Sequence, residues 1–322
     1  MSASRVVDTV LDRSVVLGYS RIGLALRERL PGWPADPAPD ALAGRDVAVT
    51  GATSGLGLAT ALGVAGLGAR VHLVVRDEAK AKGVVARISA TSPGTVVEVH
   101  RCDVGDLDDV RRFAPEFLDR VGSLDVLVHN AGVMPPERTE SPQGHELSMA
   151  VHVLGPVLMT DLLQPALGAS TRGARVLMVT SGGMYGQKLR ADDPDYLDGS
   201  YSPTTAYARS KRAQVELLPR LDQRWHGDGT GVWATHPGWA ATPGVAESLP
   251  RFRQLTAPIL RDEAAGADTT VWLAATDPAP RSGGLWHDRR ERPTHLLPTT
   301  RTSPAESGRL WSWVAAQTGL TP

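Results

Sequence analysis

Short apolar runs alternate with helical stretches along the chain from Asp46 to Trp286. Strands that are separated by helices form βαβ units, and such units build a parallel, doubly wound sheet. The sequence therefore predicts an α/β protein with a Rossmann-type sheet of about seven strands. The predicted strands are residues 46–50, 70–75, 95–101, 125–130, 175–180, 231–236 and 284–286, and predicted helices open near Gly55, Asp77, Asp106, Ser141 and Thr204 and cover 262–275.

The first 43 residues do not share this alternation. Residues 6–30 mix apolar side chains with Arg and Asp, which predicts an amphipathic helix, broken near Gly18 and ending at Pro31. A proline-rich connector follows it. We therefore predict an N-terminal helical extension over 1–43 and one larger domain over 44–322. The extension could pack against that domain or a dimer partner, or it could lie on a membrane surface as a peripheral contact.

Composition narrows the classes of partner and location. The formal net charge of -1 provides no broad attraction for nucleic acid or anionic lipid. Cys102 is the only cysteine, which rules out an internal disulfide and suits a reducing compartment. We find no apolar run of about 18 residues that would predict a transmembrane segment, no secretory signal and no metal-ligand spacing. We therefore expect a cytoplasmic protein with no nucleic-acid partner and no metal, and the sequence leaves a homo-oligomer open.

A glycine-rich segment follows the first predicted strand and opens the next helix. Glycine lets the backbone turn sharply and approach a pyrophosphate, which then binds at the helix N-terminus. A glycine cluster alone would also fit an ordinary turn, but here it follows a strand and precedes a helix. We therefore predict a dinucleotide-binding loop. Its predicted contacts are Gly51, Thr53, Ser54, Gly55, Leu56 and Gly57.

The end of the second predicted strand bears on the choice of dinucleotide. Arg76 and Asp77 follow Val75 there. A carboxylate at this strand end usually binds the ribose 2′-hydroxyl of NAD, whereas a guanidinium suits the 2′-phosphate of NADP. We therefore expect NADP(H) to be favoured over NAD(H). Arg76 could equally be a solvated side chain beside a helix that Asp77 caps, and both interpretations can hold.

Three further residues indicate proton-transfer chemistry. Tyr207 and Lys211 are four positions apart in a predicted helix, so they share one face. A neighbouring ammonium is expected to lower the phenol's pKa and so help it exchange protons, and the lysine can also bind ribose hydroxyls. Ser181 follows the fifth predicted strand, where it could donate to a substrate carbonyl oxygen. Each signal alone is weak, and a loop serine often only caps a turn, but together they predict an active site.

Motifs after the other strands complete the pattern. Together with the glycine loop and the Ser–Tyr–Lys set, they resemble the short-chain dehydrogenase/reductase superfamily from about residue 42 onward. Blocks at 180–189, 236–245, 266–274 and 282–290 resemble its dehydrogenase/reductase SDR family member twelve group. The resemblance implies adenine contacts by Asp103 and Val104, cofactor support by Asn130, Ala131 and Gly132, and a nicotinamide-side segment with Pro237, Gly238 and Thr242.

The same resemblance implies hydride transfer between a nicotinamide and a small alcohol or carbonyl compound. Tyr207 would exchange the proton, Ser181 would hold the substrate oxygen and Lys211 would hold the ribose. Residues 244–261 are predicted to form a mobile lid, and its apolar side chains favour a hydrophobic substrate. Those side chains could equally pack against the core or against a neighbouring subunit.

Two positions depart from the family pattern: His129 replaces the first asparagine of the family's common Asn-Asn-Ala-Gly segment, and the second departure matters more for the chemistry. His152 stands where the family commonly has an asparagine that anchors a proton-relay water. Histidine could serve that relay, or it could be an ordinary buried core residue. A catalytically weak or inactive dinucleotide-binding sensor or scaffold is therefore the alternative function. A nucleotide-sugar epimerase on the same fold is disfavoured because we find neither its usual Gly-x-x-Gly-x-x-Gly loop nor a larger C-terminal domain.

Overall fold

The computed structural model describes residues 3–242, 254 and 256–321. Its strands are β1 (Asp46–Thr50), β2 (Arg70–Val75), β3 (Val97–Arg101), β4 (Val126–His129), β5 (Ala174–Val179), β6 (Thr230–Thr235), β7 (Leu285–His287) and β8 (Arg290–Arg292). They form one sheet in the order β3-β2-β1-β4-β5-β6-β7-β8. Every neighbouring pair is parallel except β7 and β8, which are antiparallel. The strand order reverses between β1 and β4, which is where doubly wound sheets bind ligands.

The predicted strands are confirmed within two residues for β1 to β7. The prediction of about seven strands misses β8, which pairs with β7 at the edge of the sheet. Its three residues are Arg290, Glu291 and Arg292, so they show no apolar run. Asp288 and Arg289 form the connecting turn with φ values of 51° and 52°. A short charged edge strand of this kind gives no hydrophobic signal in the sequence.

Helices lie between the strands, before β1 and after β8. They are α1 (Ala3–Arg13), α2 (Val15–Tyr19), α3 (Arg21–Glu28), α4 (Gly55–Gly66), α5 (Glu78–Thr91), α6 (Leu107–Leu118), α7 (Leu147–Met149), α8 (Gly155–Leu162), α9 (Gln164–Leu167), α10 (Pro203–Trp225), α11 (Glu263–Ala275) and α12 (Pro304–Thr318). A π-helical turn, Ala150–Leu154, joins α7 to α8. The sequence analysis did not predict α12.

Most predicted helix starts are confirmed, because aspartate side chains cap the first turns. Asp77, Asp106 and Asp262 each accept hydrogen bonds from the first turn of the helix that follows. The start predicted near Ser141 is wrong. Residues 141–145 form a tight turn, in which the Ser141 N–H donates to the His145 carbonyl at 2.8 Å, and the helix begins only at α7.

Two apolar cores lie on the two faces of the sheet. In β1, Val47 and Val49 belong to one core, whereas Ala48 between them belongs to the other. Since successive strand residues point to opposite faces, this division shows that both faces are covered. The two cores hold the parallel strands in fixed register, so that their carboxyl ends lie side by side. The candidate site is built on these strand ends.

The N-terminal extension forms three short helices, α1 to α3, instead of one helix with a single break near Gly18. The breaks lie at Ser14 and Ser20. The extension contacts the larger domain of the same chain: Tyr19 is 2% exposed, and its carbonyl accepts from the Trp239 N–H at 2.7 Å. Trp239 belongs to the segment after β6, so the extension lies next to the predicted nicotinamide side of the site.

Candidate active site

The glycine loop after β1 leaves space that side chains would fill. Gly51 and Gly55 have φ values of 65° and 56°, a region that favours glycine. A Cβ atom on Gly57 would lie 2.4 Å from Asn130 Nδ2, so any side chain there would displace that amide. The loop ends at the N-terminus of α4, where Ser54 is the exposed N-cap residue. This arrangement can accept an anion at a helix N-terminus.

Thr50 joins this loop to the segment after β4. Its hydroxyl accepts from the backbone N–H groups of Asn130 and Ala131, both at 3.0 Å, and donates to the Val128 carbonyl at 3.3 Å. The Asn130 side chain donates back to the carbonyls of Thr50 and Gly51, at 3.1 and 3.3 Å. The sequence analysis did not single out Thr50. The signal that could have indicated Thr50 is its position directly before the glycine loop.

One pocket brings the predicted motifs together. It is lined by Leu56, Asn130, Gly132, Val179, Thr180, Ser181, Tyr207, Lys211, Pro237, Gly238, Ala240 and Thr242. Leu56 comes from the glycine-rich segment, and the other residues come from the ends of β4, β5 and β6 and from α10. Strand ends and one helix therefore place Ser181, Tyr207 and Lys211 at the same pocket, whereas the fourth catalytic candidate, His152, is not among its lining residues.

The electrostatics of Tyr207 and Lys211 differ from the sequence expectation. Burial raises the pKa of Tyr207 to about 12, and a hydrogen bond with the Ser181 side chain lowers it by less. Burial lowers the pKa of Lys211 to about 7. Lys211 Nζ donates to the Val179 carbonyl at 2.8 Å and lies 5.6 Å from the Tyr207 ring centroid. The expected lowering of the phenol's pKa by this lysine is therefore not found, because burial sets the direction of the shift.

His152 lies fully buried in the π-helical turn behind Tyr207. Its Nε2 accepts from the Val133 N–H at 3.0 Å, so its proton is on Nδ1, which faces Ser210 Oγ at 2.8 Å. Burial, with the Lys211 charge second, holds the pKa of His152 well below its usual value, so the ring is neutral. The ring stands edge-on to Tyr207 with centroids 5.2 Å apart. Both nitrogens are thus bonded to protein groups, which favours a positioning role over a water relay.

The predicted adenine-side residues lie at the ends of β2 and β3. Arg76 is exposed, and its guanidinium lies 3.9 Å from an Asp103 carboxylate oxygen. Asp103 also accepts from the Gly105 N–H at 2.9 Å, and Val104 is buried. Asp77 caps α5, which agrees with the interpretation of Arg76 as a solvated side chain beside a capped helix. Arg76 is placed where it can contact a group bound beside Asp103.

The segment after β6 is held by hydrogen bonds from two sides. Gly238 has a φ of 73°, and a Cβ atom there would lie 2.6 Å from Arg261. The Ala241 N–H donates to the Arg261 carbonyl, and the Arg261 N–H donates to the Trp239 carbonyl, both at 2.8 Å. The predicted lid, 244–261, falls largely outside the described residues. The C-terminal end of the predicted lid, Arg261, is described, and its backbone hydrogen bonds place it beside the segment after β6.

Three potential metal-ligating residues lie together away from the pocket. His72, Glu98 and His100 each offer one ligand atom, and these atoms lie within 4.8 Å of one another. However, His72 Nδ1 lies 3.1 Å from His100 Nε2, and Glu98 accepts from Arg120 at 2.8 Å. We therefore interpret the cluster as a buried hydrogen-bonding network. The sequence spacing had indicated no metal site, and this network was not foreseen.

Comparison with known proteins decides the family. The family model described as short chain dehydrogenase matches residues 45–251. The chain belongs to the short-chain dehydrogenase family. In this family the α/β sheet is a nucleotide-binding Rossmann fold that serves oxidoreductases, as the strand order and the glycine loop indicated. Among the described residues, no helix is both long and apolar enough to cross a membrane.

Named relatives agree with this membership. The human dehydrogenase/reductase SDR family member 12 is 38% identical over 83% of this chain and 84% of its own length. The bovine protein of that name is 40% identical over 58% of this chain and 59% of its own length. A protein from Beutenbergia cavernae, provisionally described as an NAD(P)-dependent gluconate 5-dehydrogenase with bound NADP, superposes with a TM-score of 0.63. It is 27% identical and covers 78% of this chain and 97% of its own.

Proposed function

We propose that this short-chain dehydrogenase family member is an NAD(P)-dependent oxidoreductase that acts on a hydrophobic alcohol or carbonyl compound. The observation that carries the proposal is the convergence of Ser181, Tyr207 and Lys211 in one pocket that Leu56, directly after the loop glycine Gly55, also lines. A sensor or scaffold that only binds a dinucleotide needs the loop but has no need of these three side chains together.

The residues around the glycine loop fit a dinucleotide. A Cβ atom on Gly51 would lie 2.8 Å from Ala131, so the missing side chain opens a cradle at the end of β1. Backbone N–H groups at the start of α4 would hold the pyrophosphate, and the segment after β6, with Thr242, would border the nicotinamide. Asp103 and Val104 would border the adenine. A bound nicotinamide would supply or accept the hydride.

Arg76 supports the choice of NADP(H) over NAD(H). Its side chain is 71% exposed and lies 3.9 Å from Asp103, so a 2′-phosphate could replace the carboxylate as its partner. The NADP in the Beutenbergia cavernae crystal is compatible with this preference. We expect Arg76→Ala to weaken NADPH binding by about 10- to 100-fold and NADH binding much less, because a charge-assisted hydrogen bond is lost. Equal losses for both dinucleotides would contradict the assignment.

The three pocket side chains have different roles in proton transfer and binding. Tyr207, with its pKa raised to about 12, keeps its proton at neutral pH and is therefore an acid in the reducing direction. Ser181 shares a hydrogen bond with that phenol and would hold the same substrate oxygen. Lys211, with a pKa near 7, gains a proton readily at neutral pH and would then donate to ribose hydroxyls.

We assign His152 and Ser210 as positioning residues. Ser210 Oγ contacts the Tyr207 carbonyl at 2.8 Å and His152 Nδ1 at 2.8 Å. This chain of contacts fixes the helical turn that carries the phenol. The half-buried Trp239 beside the pocket supports a hydrophobic substrate. The single buried cysteine, Cys102, supports a reducing, cytoplasmic location.

The test follows NADPH absorbance with a panel of lipophilic ketones and aldehydes. We expect the wild-type chain to consume NADPH and Tyr207→Phe to lose about 10²- to 10⁴-fold in turnover, because the proton donor is removed. Tyr196→Phe is the matched control, since the Tyr196 hydroxyl donates to the Ser200 carbonyl and does not line the pocket. Full turnover in Tyr207→Phe would refute the proposal, and NADPH binding without consumption across the panel would favour the scaffold.

A further inference from the structure

Helix α1 differs from an ordinary amphipathic helix, because it buries two acidic side chains and exposes valines. Asp8 and Asp12 are each 6% exposed and face the protein, whereas Val6 and Val10 on the opposite side are 46% and 62% exposed. Surface helices of globular proteins normally bury the apolar face. An exposed aliphatic face on a helix with a buried acidic face implies a partner for the aliphatic face.

Buried ion pairs hold α1 in this orientation. Asp8 accepts from Arg27 at 2.9 Å and from Arg292 at 2.8 Å. Arg27 in turn pairs with Asp288, which pairs with Arg261 at 2.6 Å. Taking these charges out of water is tolerable only with such partners, so rotating the helix to bury the valines would leave several charges unpaired. The structure therefore fixes the apolar face outward.

The exposed apolar face continues over α2 and α3. We call it the N-terminal apolar face; it consists of Val6, Val7, Val10, Val15, Val16, Leu17, Ile22 and Leu26. The three helices pack closely, since a Cβ atom on Gly18 would lie 2.0 Å from the Leu11 carbonyl oxygen. Among the described residues, the large hydrophobic side chains exposed elsewhere are Val96, Leu197 and Leu297. The other exposed large hydrophobic side chains all lie on the N-terminal apolar face, and such a concentration indicates an interaction surface.

The exposed charges beside the N-terminal apolar face favour a phospholipid surface over a second copy of the chain as its partner. Arg5, Arg13, Arg21 and Arg29 are exposed along the same segment, and Glu28 is the exposed acid among residues 4–30. A two-fold dimer would press this face against its own copy and so bring the arginines together, which is unfavourable. Aliphatic side chains flanked by arginines match the acyl chains and anionic headgroups of a phospholipid surface.

We propose that the N-terminal apolar face docks the protein on an anionic phospholipid bilayer. The helices lie in the interface and do not span it. The formal net charge of -1 for the whole chain does not oppose this docking, because the interaction depends on local charge within a Debye length of about 8–10 Å. Docking requires neither cofactor nor substrate, so its test is independent of the proposed enzymatic function.

Vesicle flotation of the full chain tests the proposal. We expect co-flotation with vesicles of equal parts phosphatidylcholine and phosphatidylserine, and much less with phosphatidylcholine alone. The triple variant Val6→Thr, Val10→Thr and Val16→Thr should weaken partitioning about sixtyfold, at roughly fourfold per lost buried methyl. Arg5→Gln with Arg13→Gln should weaken it about 25-fold, at roughly fivefold per arginine.

Matched variants elsewhere on the surface provide the controls. Val96→Thr changes an aliphatic side chain that is 52% exposed, and Arg87→Gln changes an exposed arginine on α5. Neither is expected to alter flotation. Unfolding curves of every variant confirm that the exposed substitutions leave the fold intact.

Three results would overturn the proposal. The first is absence of wild-type flotation with both vesicle types, and the second is flotation that the N-terminal variants leave unchanged. The third is wild-type self-association that the Val→Thr variant abolishes without any vesicle binding, which would assign the face to a second copy. Loss of flotation in both N-terminal variants, with both controls unaffected, would support it.

Discussion

Replacing Thr50 by valine tests how the two cofactor-side loops are held together. Valine has nearly the shape of threonine, and Thr50 is 1% exposed, so the substitution removes the hydroxyl without opening a cavity. The hydroxyl is the acceptor for the Asn130 and Ala131 N–H groups, both at 3.0 Å. We therefore expect a loss of stability that comes from an unsatisfied backbone N–H and not from packing.

The magnitude follows from the number of groups left without an acceptor. An unsatisfied buried N–H costs about 1–3 kcal/mol. Asn130 and Ala131 are only partly buried, so water can compensate in part and the lower half of that range applies. The Asn130 N–H also donates to the Val128 carbonyl at 3.2 Å, so the Ala131 N–H is the group that loses its acceptor, and the predicted decrease in the free energy of unfolding is about 1–2 kcal/mol. Since the hydroxyl joins the glycine loop to the segment after β4, the dissociation constant for NADPH should also rise.

Urea unfolding followed by tryptophan fluorescence measures the first effect, and NADPH titration measures the second. Thr235→Val is the matched control, because Thr235 is also buried and its hydroxyl contacts the Thr270 hydroxyl at 2.8 Å without accepting from a backbone N–H of the cofactor loops. The control should lose about 1 kcal/mol and keep its NADPH affinity. A Thr50→Val protein within about 0.5 kcal/mol of wild type would refute the reasoning.

Two further predictions concern the loop and the buried histidines. Gly57→Ala should weaken NADPH binding by about tenfold or more in titrations, because its Cβ atom would lie 2.4 Å from Asn130 Nδ2; unchanged affinity would contradict the cradle. Burial lowers the pKa of His100 to about 4 from its usual 6.5, so the unfolded chain takes up the proton first as pH falls. Wild type should therefore lose stability relative to His100→Gln between pH 6.5 and 4, by up to about 1.4 kcal/mol per pH unit, and urea unfolding at several pH values measures this difference.

Local signals explain which parts of the fold could be predicted. The glycine loop, the caps at Asp77 and Asp106, and the apolar strands each express their structure within a few neighbouring residues. Parallel strands buried on both faces read as apolar runs, so seven strands could be located. The short strand Arg290–Arg292 could not, because its structure depends on pairing with β7 and not on its own composition.

The candidate site was predictable in its membership and not in its electrostatics. Spacing placed Tyr207 and Lys211 on one helix face, and the structure brings both to the pocket. Spacing could not show that Lys211 bonds to the Val179 carbonyl, or that burial raises the phenol's pKa. Thr50 escaped notice for a related reason, since its partner Asn130 lies 80 positions away.

The N-terminal extension shows why hydrophobic periodicity alone can assign the wrong face. Periodicity found an amphipathic segment, and the usual rule would bury its valines. The buried face is instead set by Arg292, which lies 284 positions after Asp8, and by Asp288. A buried charge without its partner costs more than an exposed valine, so long-range ion pairs decide the orientation. The same pairs reach Arg261 beside the pocket segment, and the extension is therefore structurally continuous with the site it borders.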